Sequence, residues 1–125
     1  MTPNGYFHWN ELYTRDAETA KSFYAGCMGW TYDEMRQDDG GTYWICKAGD
    51  APVAGIFTMT EAHFDGVPEH WMPYVASDDV DAAIAKARSA GATIIREPFD
   101  VPGVGRICIL QEPGGATLGW MTPAS

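Results

Sequence analysis

Two short strand-like runs, FHWNELYT (residues 7–14) and HWMPYVAS (residues 70–77), each lead into a segment with helical spacing. In the first segment Asp16 is a natural N-cap, because its carboxylate can accept the free N–H groups of an opening helical turn. Ala20, Phe23, Tyr24 and Cys27 recur there at helical intervals, and Gly29 supplies a stop. In the second segment Asp79 is the cap, Val80, Ala83, Ile84 and Ala87 share one face, and Gly91 is the stop. Thr14 matches Ser77 and Asp16 matches Asp79, each 63 positions apart, whereas Gly29 and Gly91 are 62 apart.

Three apolar stretches follow each helix: WTYDEM, TYWICKA and PVAGIFTM in the first half, ATIIRE, GRICIL and ATLGWMT in the second. Between them lie DDGG, AGDAP, PFDVPGVG and QEPGG, rich in the Gly, Pro and Asp that tight turns require. Each half therefore reads β-α-β-β-β, and the chain reads as one α+β domain over residues 1–125. Module one covers about residues 5–60 and module two about 68–123, joined by the polar segment TEAHFDGVPE. Repetition places Trp9 opposite Met72, Glu11 opposite Tyr74 and Leu12 opposite Val75. Apolar side chains occur in both parities, so periodicity alone does not choose the face of a site.

The size of 125 residues is enough for a core, and 46% hydrophobic with 20% charged residues is the composition of a folded domain. Eight basic against 17 acidic residues give a net charge of −9, which repels phosphate backbones and anionic lipid. Nucleic acid and membrane are therefore not expected partners. No apolar run is long enough to span a bilayer, and MTPNGYFHWNEL lacks the basic-then-apolar order of a secretory signal. Cys27, Cys46 and Cys108 are odd in number and form no CxxC pair, as expected of reduced thiols in a cytoplasmic protein.

In order along the chain, FHWNELYTRD, AKSFYAGCMGW, VAGIF, HWMPYVASDDVDAA and DVPGVGRICILQEPGGA resemble a small bacterial branch of the vicinal oxygen chelate superfamily. That group includes glyoxalase I, bleomycin-resistance proteins and extradiol dioxygenases. The resemblance implies two tandem βαβββ modules forming a curved mixed sheet around a cleft. It also implies four metal-ligand positions, which fall here on Trp9, Phe57, Met72 and Gly119, with the register of Phe57 open by a residue or two. None of these side chains suits a hard divalent cation. His8 alternates away from Trp9, His63 lies in the linker, and His70 has the parity of Met72. No cofactor is expected, and a divalent metal is disfavoured.

The same resemblance makes the face bearing Trp9, Glu11 and Tyr13, with Met72, Tyr74 and Ala76, the concave one. The expected ligand-binding residues are Trp9, Glu11, Phe57, Met72, Tyr74 and Arg106, lining a cleft suited to a planar or apolar molecule. Glu11 is the candidate catalytic residue, because a carboxylate in an apolar setting holds its proton more tightly and suits a general base. Against this stand an exposed Glu11, or one paired with Arg106, and aromatics that merely fill the barrel. Phe23, Tyr24 and Trp30 are expected to pack the first helix on its sheet, and the thiols to be core residues.

Three readings follow. The first is metal-independent binding of a small aromatic or apolar molecule. The second is a lyase, isomerase or dioxygenase using a metal held by noncanonical ligands, or Glu11 as base. The third is an interaction module with a filled cleft. The resemblance further implies a symmetric homodimer.

Overall fold

A computed structural model describes residues 4–36 and 41–124. Most of the expected DDGG turn falls outside the described residues, as do the first three residues and the side chain of His63. The first βαβββ order is β1 (Phe7–Thr14), α1 (Ala17–Met28), β2 (Thr31–Arg36), β3 (Thr42–Ala48) and β4 (Ala51–Thr58). A 3₁₀ turn, Ala62–Phe64, interrupts the linker. The second order is β5 (His70–Ala76), α2 (Val80–Ser89), β6 (Thr93–Val101), β7 (Gly105–Gln111) and β8 (Thr117–Pro123). The chain thus has the mixed α+β architecture of tandem βαβββ modules.

The two helices start by the same device. The Asp16 carboxylate accepts the Thr19 N–H at 3.0 Å, while Asp16 N–H donates to Thr14 Oγ1 at 3.2 Å. In the repeat, Asp79 accepts the Ala82 N–H at 3.1 Å and its own N–H donates to Ser77 Oγ at 3.2 Å. Thr14 and Ser77 are buried polar residues, and each has a defined hydrogen bond. Gly29 closes α1 in the left-handed conformation, with φ of 72°, a region that L side chains rarely adopt.

Two compact units divide the chain: Trp9–Trp71, and Met72–Ser125 together with Met1–His8. The N-terminal residues are tied to the latter by bonds from Gly5 N–H to Ala76 O and from Ala76 N–H to Tyr6 O, both 2.7 Å. In the first unit the strands run β2-β3-β4-β1, and in the second β5-β8-β7-β6. Parallel pairing sets Glu11 against Gly55 and Tyr13 against Phe57 in one, and Tyr74 against Gly119 and Ala76 against Met121 in the other. The repeat counterpart of Gly119 is therefore Gly55, and Phe57 corresponds to Met121. This corrects the sequence register by two residues. The cause is a change of offset, since Gly29 and Gly91 are 62 apart, the spacing that pointed to Phe57, but Gly55 and Gly119 are 64 apart.

One side of each small sheet packs on its helix. Leu12, Ala17, Cys46, Ala54 and Ile56 form the first core, with Tyr24, Trp30 and Trp44 packed against it. Val80, Ile84, Ala87, Cys108 and Leu110 form the second. Two expectations for α1 need correction: Phe23 is 58% exposed, and Cys27 is also exposed. Only Tyr24 of the Phe-Tyr pair packs against the core, and Phe23 meets the Tyr24 ring in a T-shaped contact with centroids 5.0 Å apart.

The break PFDVPGVG is also shorter than expected. Strand β6 continues to Val101, with Phe99 opposite Ile107 and Asp100 opposite Arg106. Pro98 is accommodated there because the ladder shifts register between Arg96 and Phe99, where a missing N–H is tolerated.

Candidate functional site

The face of the first unit's sheet that α1 does not cover carries Trp9, Glu11 and Tyr13 from β1, Gly55 and Phe57 from β4, and Tyr43 from β3. The parity follows from the registers, because Leu12, Cys46, Ala54 and Ile56 all point to the helix-side core. On the uncovered face the Trp9 indole N–H donates to Tyr43 Oη at 3.0 Å. The Tyr43 hydroxyl in turn donates to Glu11 Oε1 at 2.6 Å. The short distance is that of a hydrogen bond to a carboxylate. Trp9 and Glu11 are half-buried, so the array is partly shielded yet reachable.

Gly55 makes this arrangement fit. A Cβ at residue 55 would lie 1.5 Å from Tyr43 Oη, so the phenol occupies the space a side chain would need. Beside it, Tyr13 and Phe57 pack with ring centroids 5.3 Å apart, and Phe64 lies 5.8 Å from Phe57. The His70 ring stacks on Tyr13 at 5.0 Å, with 2° between planes. The unit therefore offers a polar array next to an aromatic wall.

Tyr43 is the member that sequence reasoning missed. It lies in TYWICKA, where apolar side chains occupy both parities and hide a functional hydroxyl. The available signal was Gly55, a missing side chain in the neighbouring strand, which became informative only once strand register was known.

The second unit is arranged differently. Tyr74 is 1% exposed and its ring lies beside Gly119, where a Cβ would come within 2.2 Å of it. Met72 is buried as well. Both side chains are thus buried in this structure. Arg106 is held by two carboxylates of its own unit. Its Nε and Nη2 donate to Asp81 at 2.7 and 3.1 Å, and its Nη1 donates to Asp100 at 3.3 Å. Asp81 offers Arg106 a bidentate partner on the adjoining helix. Hydrogen bonds from Arg106 hold the Asp81 carboxyl below the usual carboxylate range.

The donor set does not fit a metal. Trp9, Met72 and Gly119 offer no hard ligand, and neither Gly55 nor Phe57 supplies a fourth. Among the described residues no group of three or more His, Cys, Asp or Glu is placed to hold an ion. Among them, too, no helix is long and apolar enough to cross a membrane.

The duplicated unit, with its parallel outer pair and helix-covered core, defines a paired-βαβββ protein. The chain belongs to the glyoxalase/bleomycin resistance protein/dioxygenase superfamily, whose family model matches residues 6–119. It is 43% identical over 124 residues to "Putative glyoxylase CFP32" of Mycobacterium tuberculosis (strain CDC 1551 / Oshkosh), covering 99% of this chain and 46% of that protein. It is 30% identical over 121 residues to the anthracycline biosynthesis protein DnrV of Streptomyces peucetius, covering 88% of this chain and 44% of DnrV. The chain thus spans about half the length of these curated relatives. Among solved structures, hypothetical protein BH1468 from Bacillus halodurans C-125 matches with a TM-score of 0.75 at 11% identity, over 98% of this chain and 97% of that one. The methylmalonyl-CoA epimerase from Mycobacterium tuberculosis matches with a TM-score of 0.66 at 18% identity, over 97% of this chain and 89% of that one. At these identities the structural likeness is one of fold.

Proposed function

We propose that the uncovered face of the first unit binds a small aromatic or apolar molecule without a metal. The observation that carries this reading is the Trp9–Tyr43–Glu11 chain beside the Tyr13–Phe57 wall. The aromatic rings supply area and stacking, and the polar chain fixes orientation through one or two hydrogen bonds. Met72, Tyr74 and Arg106 remain part of the proposed ligand set only if the ligand displaces their present packing. Screening aromatic metabolites by tryptophan quenching tests this. A hit should lose affinity in Glu11→Gln when it carries a hydrogen-bond donor, and should keep it after exhaustive chelation. Hits that bind only with added divalent metal would overturn the reading.

One observation favours a second reading, proton transfer on a bound substrate. The Tyr43 hydroxyl and the Glu11 carboxylate are 2.6 Å apart, so a base and the group that orients it are already joined. A protein of the same fold is named as an epimerase, and a reaction of that class needs a base within reach of the substrate. Deuterium exchange into a bound carbon acid, abolished in Glu11→Gln, would support it, and exchange equal to wild type would oppose it.

We further infer a homodimer in a reducing, cytoplasmic setting. Strands β2 and β6 end their sheet orders and leave edges that a partner can cover. The three thiols are all unpaired. Sedimentation giving a monomer mass at micromolar concentration would contradict the dimer.

A further inference from the structure

On the helix side of the first unit, away from the array described above, Asn10, Tyr24, Trp30, Val53, Ala54 and Trp71 line a groove of about 430 Å³. Tyr24 and Trp30 are stacked, with centroids 4.8 Å apart and 24° between planes, and form one wall. Trp71 stands across them, at 78° to Tyr24 and 83° to Trp30. Its indole N–H donates to Tyr24 Oη at 3.2 Å, which fixes the corner between the walls. The left-handed turn at Gly29 sets Trp30 beside Tyr24, and the Trp30 N–H reaches Tyr24 O.

Elsewhere the chain covers aromatic faces with its own cations. Lys21 Nζ lies 3.2 Å from the Trp44 ring centroid, and Arg96 Cζ lies 3.6 Å from that of Phe99. Among the described residues no lysine or arginine covers Tyr24, Trp30 or Trp71, and Trp71 is 39% exposed. Two aromatic walls at a right angle, with no internal cation and a chain charge of −9, match a weakly hydrated organic cation. We propose that this groove is a binding site for an alkylated ammonium group, with Trp30 and Trp71 as its principal contacts and Asn10 at its polar rim.

Choline is the probe, and its uncharged isostere, in which a tert-butyl group replaces the trimethylammonium, is the control. The five tryptophans give five indole N–H signals for nuclear magnetic resonance. The expected result is saturable movement of the Trp30 and Trp71 signals with choline, while those of Trp9, Trp44 and Trp120 stay in place. The isostere should bind at least tenfold more weakly, and Trp71→Leu should weaken choline at least tenfold. Equal affinity for the two probes would overturn the proposal. So would shifts that never saturate, or saturable shifts confined to other tryptophans of the wild-type protein. The wild-type signals decide the matter even if Trp71→Leu does not fold. Because the Trp9 signal reports the other face, failure of this site is distinguishable from failure of that one.

Discussion

Tyr43 lies over Gly55 so closely that any side chain at residue 55 would collide with its hydroxyl, and the same hydroxyl joins Trp9 to Glu11. Tyr74 has the same relation to Gly119 in the second unit, where a Cβ would lie 2.2 Å from the ring. At residue 55 a ring carbon of Tyr43 as well as its hydroxyl stands in the way, at 2.1 and 1.5 Å. Tyr43 can answer a new methyl group only by giving up its bonds to Trp9 and Glu11, and the buried Tyr74 ring has nowhere to go. Overpacking costs about 1–3 kcal/mol. Gly55→Ala and Gly119→Ala should therefore both fall near the top of that range. Urea unfolding of the two variants checks this, and stability equal to wild type in either would contradict it.

Tyr43→Phe keeps the ring but removes both bonds of the array. The indole of Trp9 and the carboxylate of Glu11 each lose a partner, at a cost of about 1–3 kcal/mol to stability. Ligand affinity should fall along with it. A variant as stable as wild type would mean that water replaces the phenol at no loss.

The Arg106–Asp81 contact predicts a pH dependence. Asp81 has its carboxyl held below the ordinary value of 3.8 in the folded chain, so its contribution is fully present above that value. It is lost as pH falls through the lower folded value. Arg106→Gln should thus be less stable than wild type at about pH 6, with the gap closing toward about pH 2. Urea midpoints measured across that range test the sign. A gap that widens on acidification would contradict the assignment.

Burial pushes the thiols of Cys46 and Cys108 up to about 11, whereas Cys27 is exposed. Only the thiolate reacts quickly with a disulfide reagent. Native protein at neutral pH should show one fast thiol, and unfolded protein all three. Two or three fast thiols in the native state would show that a core opens readily.

Legibility followed the range of the interaction. The Thr14–Asp16 and Ser77–Asp79 pairs were readable because a cap is a local bond and the duplication displays it twice. Strands such as FHWNELYT and TYWICKA were readable for a similar reason, since Gly, Pro and Asp bracket them. Pairing across strands was not. The counterpart of Gly119 shifted from Phe57 to Gly55 because the spacing of the two halves grows from 62 at the helix stops to 64 at these strands, and Tyr43 became visible as a site residue only with that ladder in place. Arg106 was singled out as a ligand-binding residue or a partner of Glu11, but its ion-pair partner, Asp81, sits 25 residues earlier in the chain, and no local pattern announces such a contact. Phe23 shows the reverse failure. Its helical spacing is that of a core residue, yet the part of α1 that meets the sheet is narrower than its apolar stripe.

The claim that the uncovered face of the first unit binds an aromatic molecule without a metal is tested most directly by calorimetric titration of chelator-treated protein with a screened ligand, in wild type and in Trp9→Ala. A stacked contact is worth about 0.5–1.5 kcal/mol beyond its buried area, and the lost apolar contact adds roughly 1.5–3 kcal/mol. The account predicts full affinity in the metal-free wild type and at least a tenfold loss in folded Trp9→Ala. Unchanged binding by Trp9→Ala, or binding restored only by added metal, would contradict it.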